Sequence, residues 1–176
     1  PDYLRAISKE ETSRPSRSDG LPYRVIEHVW IPMSDGIRLS AQLWLPVPAE
    51  HESVPAILEF IPYRKRDGVA LRDHANHAWF AAHGYACVRP DMRGHGDSEG
   101  LMMGEYSPRE QEDAVEVIEW IAEQDWCTGA VGMMGISWGG IASLQAAVRQ
   151  PAALKAIIPV CASVDRYYDD GGYLVG

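Results

Sequence analysis

The chain has 176 residues, 46% of them hydrophobic and 23% charged, the composition of one globular domain with a sizeable core, which excludes disordered and fibrous classes. A net charge of -9 and a pI near 5.1 argue against nucleic-acid or anionic-membrane partners, because phosphates and lipid headgroups would be repelled. No apolar run approaches the roughly 20 residues needed to span a bilayer.

The chain opens Pro1-Asp2-Tyr3 without a signal-peptide pattern and without an initiator methionine, so an upstream segment is compatible with the sequence. The cytoplasm is the default expectation. Residues 1–21 are a polar, turn-rich leader. Tyr23 to Ile31 alternates as a half-exposed strand, Ser34-Asp35-Gly36 makes a hairpin turn, and Ile37 to Leu45 alternates again up to Pro46. These predict an antiparallel pair at one edge of a sheet. The pattern then changes to nearly continuous apolar strands, Pro55 to Ile61 and Tyr85 to Arg89, with helical stretches over His74 to His83 and Glu110 to Gln124. Gly129 to Met134 is a further buried strand, Ile141 to Arg149 a helix, and Lys155 to Cys161 a sixth strand. An antiparallel entry followed by alternating strands and helices describes an open α/β sheet with reactive residues at the carboxyl ends of its strands.

Between the fifth strand and its helix lies Gly135-Ile136-Ser137-Trp138-Gly139, followed by Gly140. This is the G-x-S-x-G pattern of a nucleophile elbow, a strained strand-to-helix turn that exposes one serine. Gly135 and Gly139 make room for strand and helix to approach without a Cβ clash. Ser137 is therefore the candidate nucleophile. A serine hydroxyl needs a histidine base and an acid to orient it. His28, His51, His74, His77, His83 and His95 all precede Ser137 and read as surface or loop residues. A tetrahedral intermediate also needs donors, and the backbone N–H of Trp138, at the start of the elbow helix, is one candidate. Cys87, Cys127 and Cys161 are odd in number and far apart; they suggest neither disulfides nor a zinc site and read as buried small hydrophobes. Trp30, Trp44, Trp79, Trp120 and Trp126 read as core or sheet-face aromatics. Arg64-Lys65-Arg66 reads as a solvated charge run. Asp91 and Arg93 are expected to hold the loop after the fourth strand, with Gly94, Gly96 and Gly100 permitting its turns.

The Ser137 elbow, Pro62-Tyr63-Arg64-Lys65, the run Arg89-Pro90-Asp91-Met92-Arg93-Gly94-His95-Gly96-Asp97-Ser98-Glu99-Gly100 and the closing Gly171-Gly172-Tyr173-Leu174 resemble the N-terminal part of an α/β-hydrolase. More narrowly, they are similar to the X-Pro dipeptidyl-peptidase and cocaine-esterase group of acyl hydrolases. The resemblance implies a three-layer α/β-hydrolase sandwich, mostly parallel with an antiparallel N-terminal hairpin, incomplete because its last strands and cap are missing. It implies a core over residues 22–165 and the start of a cap or connecting segment over 166–176. It also implies that the Tyr63 hydroxyl replaces a backbone donor in the oxyanion hole. Near Tyr63, the run from Arg64 to Arg66 is also placed to meet a carboxylate on an acyl group. By the fold's order the triad acid and histidine follow the serine, so the triad is not complete here; Asp165, Asp169 and Asp170 fall where the resemblance places the cap. The implied activity is hydrolysis of a small-molecule ester, an amide or a short peptide through an acyl-enzyme on Ser137, without metal or organic cofactor. The alternative is a non-catalytic fragment serving as a structural or binding module. Its unpaired strand edge favours association with another copy or with the missing C-terminal half.

Overall fold

The computed structural model describes residues 20–169. The expected leader up to residue 19 and the Gly171 to Leu174 segment lie outside them. The two alternating segments form β1 (Tyr23–Pro32) and β2 (Arg38–Pro46), paired antiparallel from Tyr23 opposite Pro46 to Pro32 opposite Arg38. Their turn closes through the Gly36 amide, which donates to the Met33 carbonyl at 3.0 Å, and Gly36 takes a φ of 89°, open to glycine at no steric cost.

The apolar runs form β3 (Val54–Glu59), β4 (Ala86–Pro90), β5 (Cys127–Ile136) and β6 (Leu154–Val160). The sheet runs β1-β2-β4-β3-β5-β6, parallel from β4 to β6, with β2 antiparallel to β4. Helices α1 (Ala70–Ala82), α2 (Pro108–Ala122) and α3 (Trp138–Val148) make the crossovers, and α4 (Arg166–Asp169) follows β6. α2 starts where Ser107 accepts a hydrogen bond from the Glu110 amide at 3.2 Å and Pro108 fills the first turn. Its Ala114, Val117, Ile118 and Ile121 face the sheet.

The sheet separates two cores. Ala56, Leu58, Ala86, Val88, Val131 and Met133 pack with α2 and α3, whereas Tyr23, Val25, Trp44 and Cys87 pack with Ala81 of α1. Neighbours such as Cys87 and Val88 point to opposite faces, as strand period demands. Each Val or Ile buried in this way contributes about 1.5–3 kcal/mol. Because β3, β4 and β5 are parallel, the segments that follow them emerge at one edge of the sheet.

Four expectations are corrected by α1 and by the end of β6. α1 begins at Ala70 rather than His74, and its buried face is Asp73, His77 and Ala81, at intervals of four. His77 is fully buried beside Glu59, with Nε2 at 3.1 Å from Oε2, and is not a surface histidine. Trp79 is 57% exposed and stacks on His83 with centroids 3.9 Å apart, since it stands on the opposite side of α1 from that face. Cys161 lies beyond the end of β6 and is exposed, unlike Cys87 and Cys127. Burial pushes the Cys87 thiol far above its ordinary range, so it has no thiolate character. No helix among the described residues is long and apolar enough to cross a membrane.

Candidate active site

Ser137 stands between the last residue of β5 and the first of α3 with φ 55° and ψ -116°, a conformation that β-carbon sterics disfavour. Its amide donates to the Val160 carbonyl at 2.8 Å, and its own carbonyl accepts from the Ile141 amide at 3.0 Å, so both sides of the strained residue are held. The side chain is exposed. A methyl group on Gly135 would stand 2.6 Å from the Gly139 carbonyl oxygen, and one on Gly140 would stand 2.7 Å from the Val160 oxygen. The glycines therefore set how close α3 lies to β5 and β6.

Trp138 is the first residue of α3, so its amide has no carbonyl inside the helix to bond. Its indole Nε1 donates to Glu110 Oε1 at 2.7 Å, and its ring lies over Tyr106 with centroids 4.7 Å apart. Glu110 Oε2 accepts from the Tyr106 amide at 2.8 Å. Burial raises the Glu110 pKa above its ordinary value, and those two hydrogen bonds offset only part of the rise.

Tyr63 lies four residues beyond the end of β3 and is 39% exposed. The structure brings this segment to the elbow: Ile61 is fully buried and packs where a Cβ on Gly139 would be 3.1 Å from it. Lys65, in contrast, is not part of a solvated run. Its ammonium is buried and donates to Asp91 Oδ2 at 2.7 Å, Asp97 Oδ2 at 2.8 Å and Ser40 Oγ at 2.9 Å, while its amide donates to Asp91 Oδ1 at 2.7 Å. Its hydrogen bond holds the Asp97 carboxyl below its ordinary pKa against a smaller opposing effect of burial. Arg64 and Arg66 do remain exposed, each beside a carboxylate, Asp67 and Asp97 respectively.

The loop from Asp91 to Gly100 is structural in its contacts. Gly94, Gly96 and Gly100 all take positive φ, and a Cβ on Gly96 would overlap the Asp91 carboxylate. Asp91 holds the loop through the Asp97 amide at 3.0 Å. Arg93, however, does not pair with Asp91; it reaches Asp113 on α2 at 2.7 Å and Asp35 at 2.8 Å. His95 Nδ1 lies 3.0 Å from the Arg93 carbonyl. An apolar trough of about 660 Å³ between α1 and strands β3, β5 and β6, lined by Trp79, Phe80, Tyr85 and Ile158 among others, contains none of Ser137, Tyr63 and Trp138. Among the described residues no group of three His, Cys, Asp or Glu side chains is placed to hold a metal ion.

Residues 35–175 match the X-Pro dipeptidyl-peptidase family, S15. The chain belongs to this family. A cocaine esterase of Rhodococcus sp. (strain MB1 Bresler) is 41% identical over 159 residues, which cover 86% of this S15 chain and 27% of the esterase. Among solved structures, a CocE/NonD family hydrolase from Staphylococcus aureus superimposes with a TM-score of 0.72 at 25% identity, over 84% of this chain and 29% of that one. An α-amino acid ester hydrolase gives a TM-score of 0.63 at 28% identity, over 84% and 26%. The fold is that of an incomplete α/β-hydrolase, in a family of esterases and peptidases. This S15 segment spans about a quarter of the length of these relatives.

Proposed function

We propose that this chain is the nucleophile-bearing part of a serine acyl hydrolase. Ser137 Oγ attacks the carbonyl carbon of an ester or amide, its proton passes to a histidine base, and the C–O or C–N bond breaks to release alcohol or amine. Water then hydrolyses the acyl-Ser137 ester. The Trp138 amide and the Tyr63 hydroxyl donate to the oxyanion, each such donor being worth about 3 kcal/mol in the transition state. The observation that carries this reading is the exposed Ser137 held at φ 55° and ψ -116° at the carboxyl edge of the sheet, since strain of this kind persists only where surrounding structure enforces it.

All six histidines precede Ser137, so the base and its acid come from further chain of a longer protein, and the 176 residues alone are inactive. Small-molecule esters, amides and short peptides are the substrate class. Ile158 and Val160, exposed on the outermost strand, support association with that further chain or with a second copy.

The test is a fluorophosphonate probe applied to the full-length protein, read by intact mass. One phosphonyl adduct per chain, lost in Ser137→Ala, is expected, with none on the 176-residue chain alone. An adduct that survives in Ser137→Ala refutes the assignment. A folded full-length protein that takes no label is a binding module instead.

A further inference from the structure

We infer that Arg89 is a positioning residue for the Tyr63 hydroxyl, a role that rests on the oxyanion reading of Tyr63. The sheet ladder does not hold the Tyr63 segment, because β3 pairing ends at Leu58 with β4 and at Glu59 with β5. Pro62 offers no amide to hold it either. Arg89 takes over that task from the end of β4. Its guanidinium is fully buried, and its Nη1 donates to the carbonyls of Ile61 at 3.3 Å and Pro90 at 2.7 Å, while Nη2 donates to the carbonyl of Tyr63. Two carbonyls of the segment, on either side of Pro62, thus converge on one planar group.

That group cannot turn freely. Arg89 Nε donates to Asp73 Oδ2 at 2.8 Å, and the other Asp73 oxygen accepts from Arg72 Nε at 2.9 Å. Arg72 Nη2 reaches Glu59 Oε1 at 2.9 Å, and Glu59 Oε2 faces His77. The plane of the guanidinium is therefore fixed from α1 and β3 together. Asp91, two residues along from Arg89, holds the far end of the same segment through the Lys65 amide. Tyr63 also acts electrostatically on Arg72 of this same network, and the carbonyl held by Arg89 belongs to the residue that carries the hydroxyl, so a shift of the segment carries the hydroxyl with it. An ion pair with Asp73 alone would satisfy the Arg89 charge. That pair uses only Nε, and the Nη donors of the buried guanidinium are satisfied by the Ile61, Tyr63 and Pro90 carbonyls, so the side chain and the segment hold one another in place.

The experiment is a double-mutant cycle in the full-length protein, using a 4-nitrophenyl ester and counting intact sites by fluorophosphonate titration, so that lost folding does not pass for lost rate. Arg89→Lys keeps the charge but not the fork. It is expected to lower kcat per titrated site by about 10-fold with KM within about twofold, a donor displaced by a fraction of the ångström that costs roughly 100-fold. In a Tyr63→Phe background the same change is expected to cost less than about threefold, because no hydroxyl remains to misplace. An equal cost in both backgrounds overturns the inference. Should Arg89→Lys fail to fold, Asp73→Asn, which keeps the arginine and removes its charged partner, runs the same cycle with the same expected and overturning results. Tyr63→Phe without effect on kcat would instead sink the oxyanion reading itself.

Discussion

Replacing Gly135 by alanine puts a methyl group 2.6 Å from the Gly139 carbonyl oxygen and 2.7 Å from its Cα, where ordinary contacts begin at 3.4 Å. All of these are backbone atoms, so no side chain can swing away. The Gly139 carbonyl carbon is nearer still, at 2.4 Å, so clearance requires α3 to retreat by about 1.0 Å, and α3 is itself pressed against Val160, whose oxygen lies 2.7 Å from where a Gly140 Cβ would be. Overpacking of this kind costs about 1–3 kcal/mol. Because Ser137 is the residue joining β5 to α3, the retreat moves the nucleophile as well, and a displacement near 1 Å costs on the order of 100-fold in turnover. Urea denaturation and ester hydrolysis by the full-length Gly135→Ala variant measure the two effects together. Gly36→Ala is the control: at φ 89° with nothing within 4 Å, it should lose about 1–2 kcal/mol through backbone strain alone and keep its turnover. A Gly135→Ala protein as stable and as active as the parent would refute the close-approach argument.

Lys65→Met should destabilise the protein by about 3–5 kcal/mol, because it leaves the buried Asp91 carboxylate without its cation; a loss under about 1 kcal/mol in chemical denaturation would contradict the burial. Glu59 is buried, which raises its pKa, yet the His77 imidazole, 3.1 Å away, and the charges of Arg72 and Arg89 together hold it below the ordinary value of 4.5. A depressed carboxyl contributes stability that is present above 4.5 and lost as pH falls below it. Glu59→Gln should therefore flatten the acid limb of a stability-versus-pH curve, and an unchanged limb would show that the carboxylate carries no such linkage.

The strands and helices were legible because their apolar residues repeat at two or at three to four, and the elbow because its glycines and serine have fixed spacing. Ends were displaced where polar residues stand at core positions. The buried face of α1 reads Asp73, His77, Ala81, which hides the amphipathic signal that an interval of four would otherwise give. Lys65 was misread for a related reason. Nothing within the sequence Arg64-Lys65-Arg66 announces that Asp91 and Asp97, 26 and 32 residues onward, fold over the middle member and desolvate it. Arg89, read only as part of the Arg89-Pro90-Asp91 run, shows its role once the Ile61 and Tyr63 carbonyls are seen to converge on it.

The strand order carries a consequence for how the chain is made. β1 and β2 are neighbours in sequence and close as a hairpin as soon as both exist, but β3 sits between β4 and β5, and Leu58 must wait for Met133. Synthesis from the N-terminus therefore exposes one edge of β3, an interior strand, until residues about 75 positions later have emerged. The elbow is formed by that same late-arriving strand, so the site cannot assemble before the centre of the sheet is sealed.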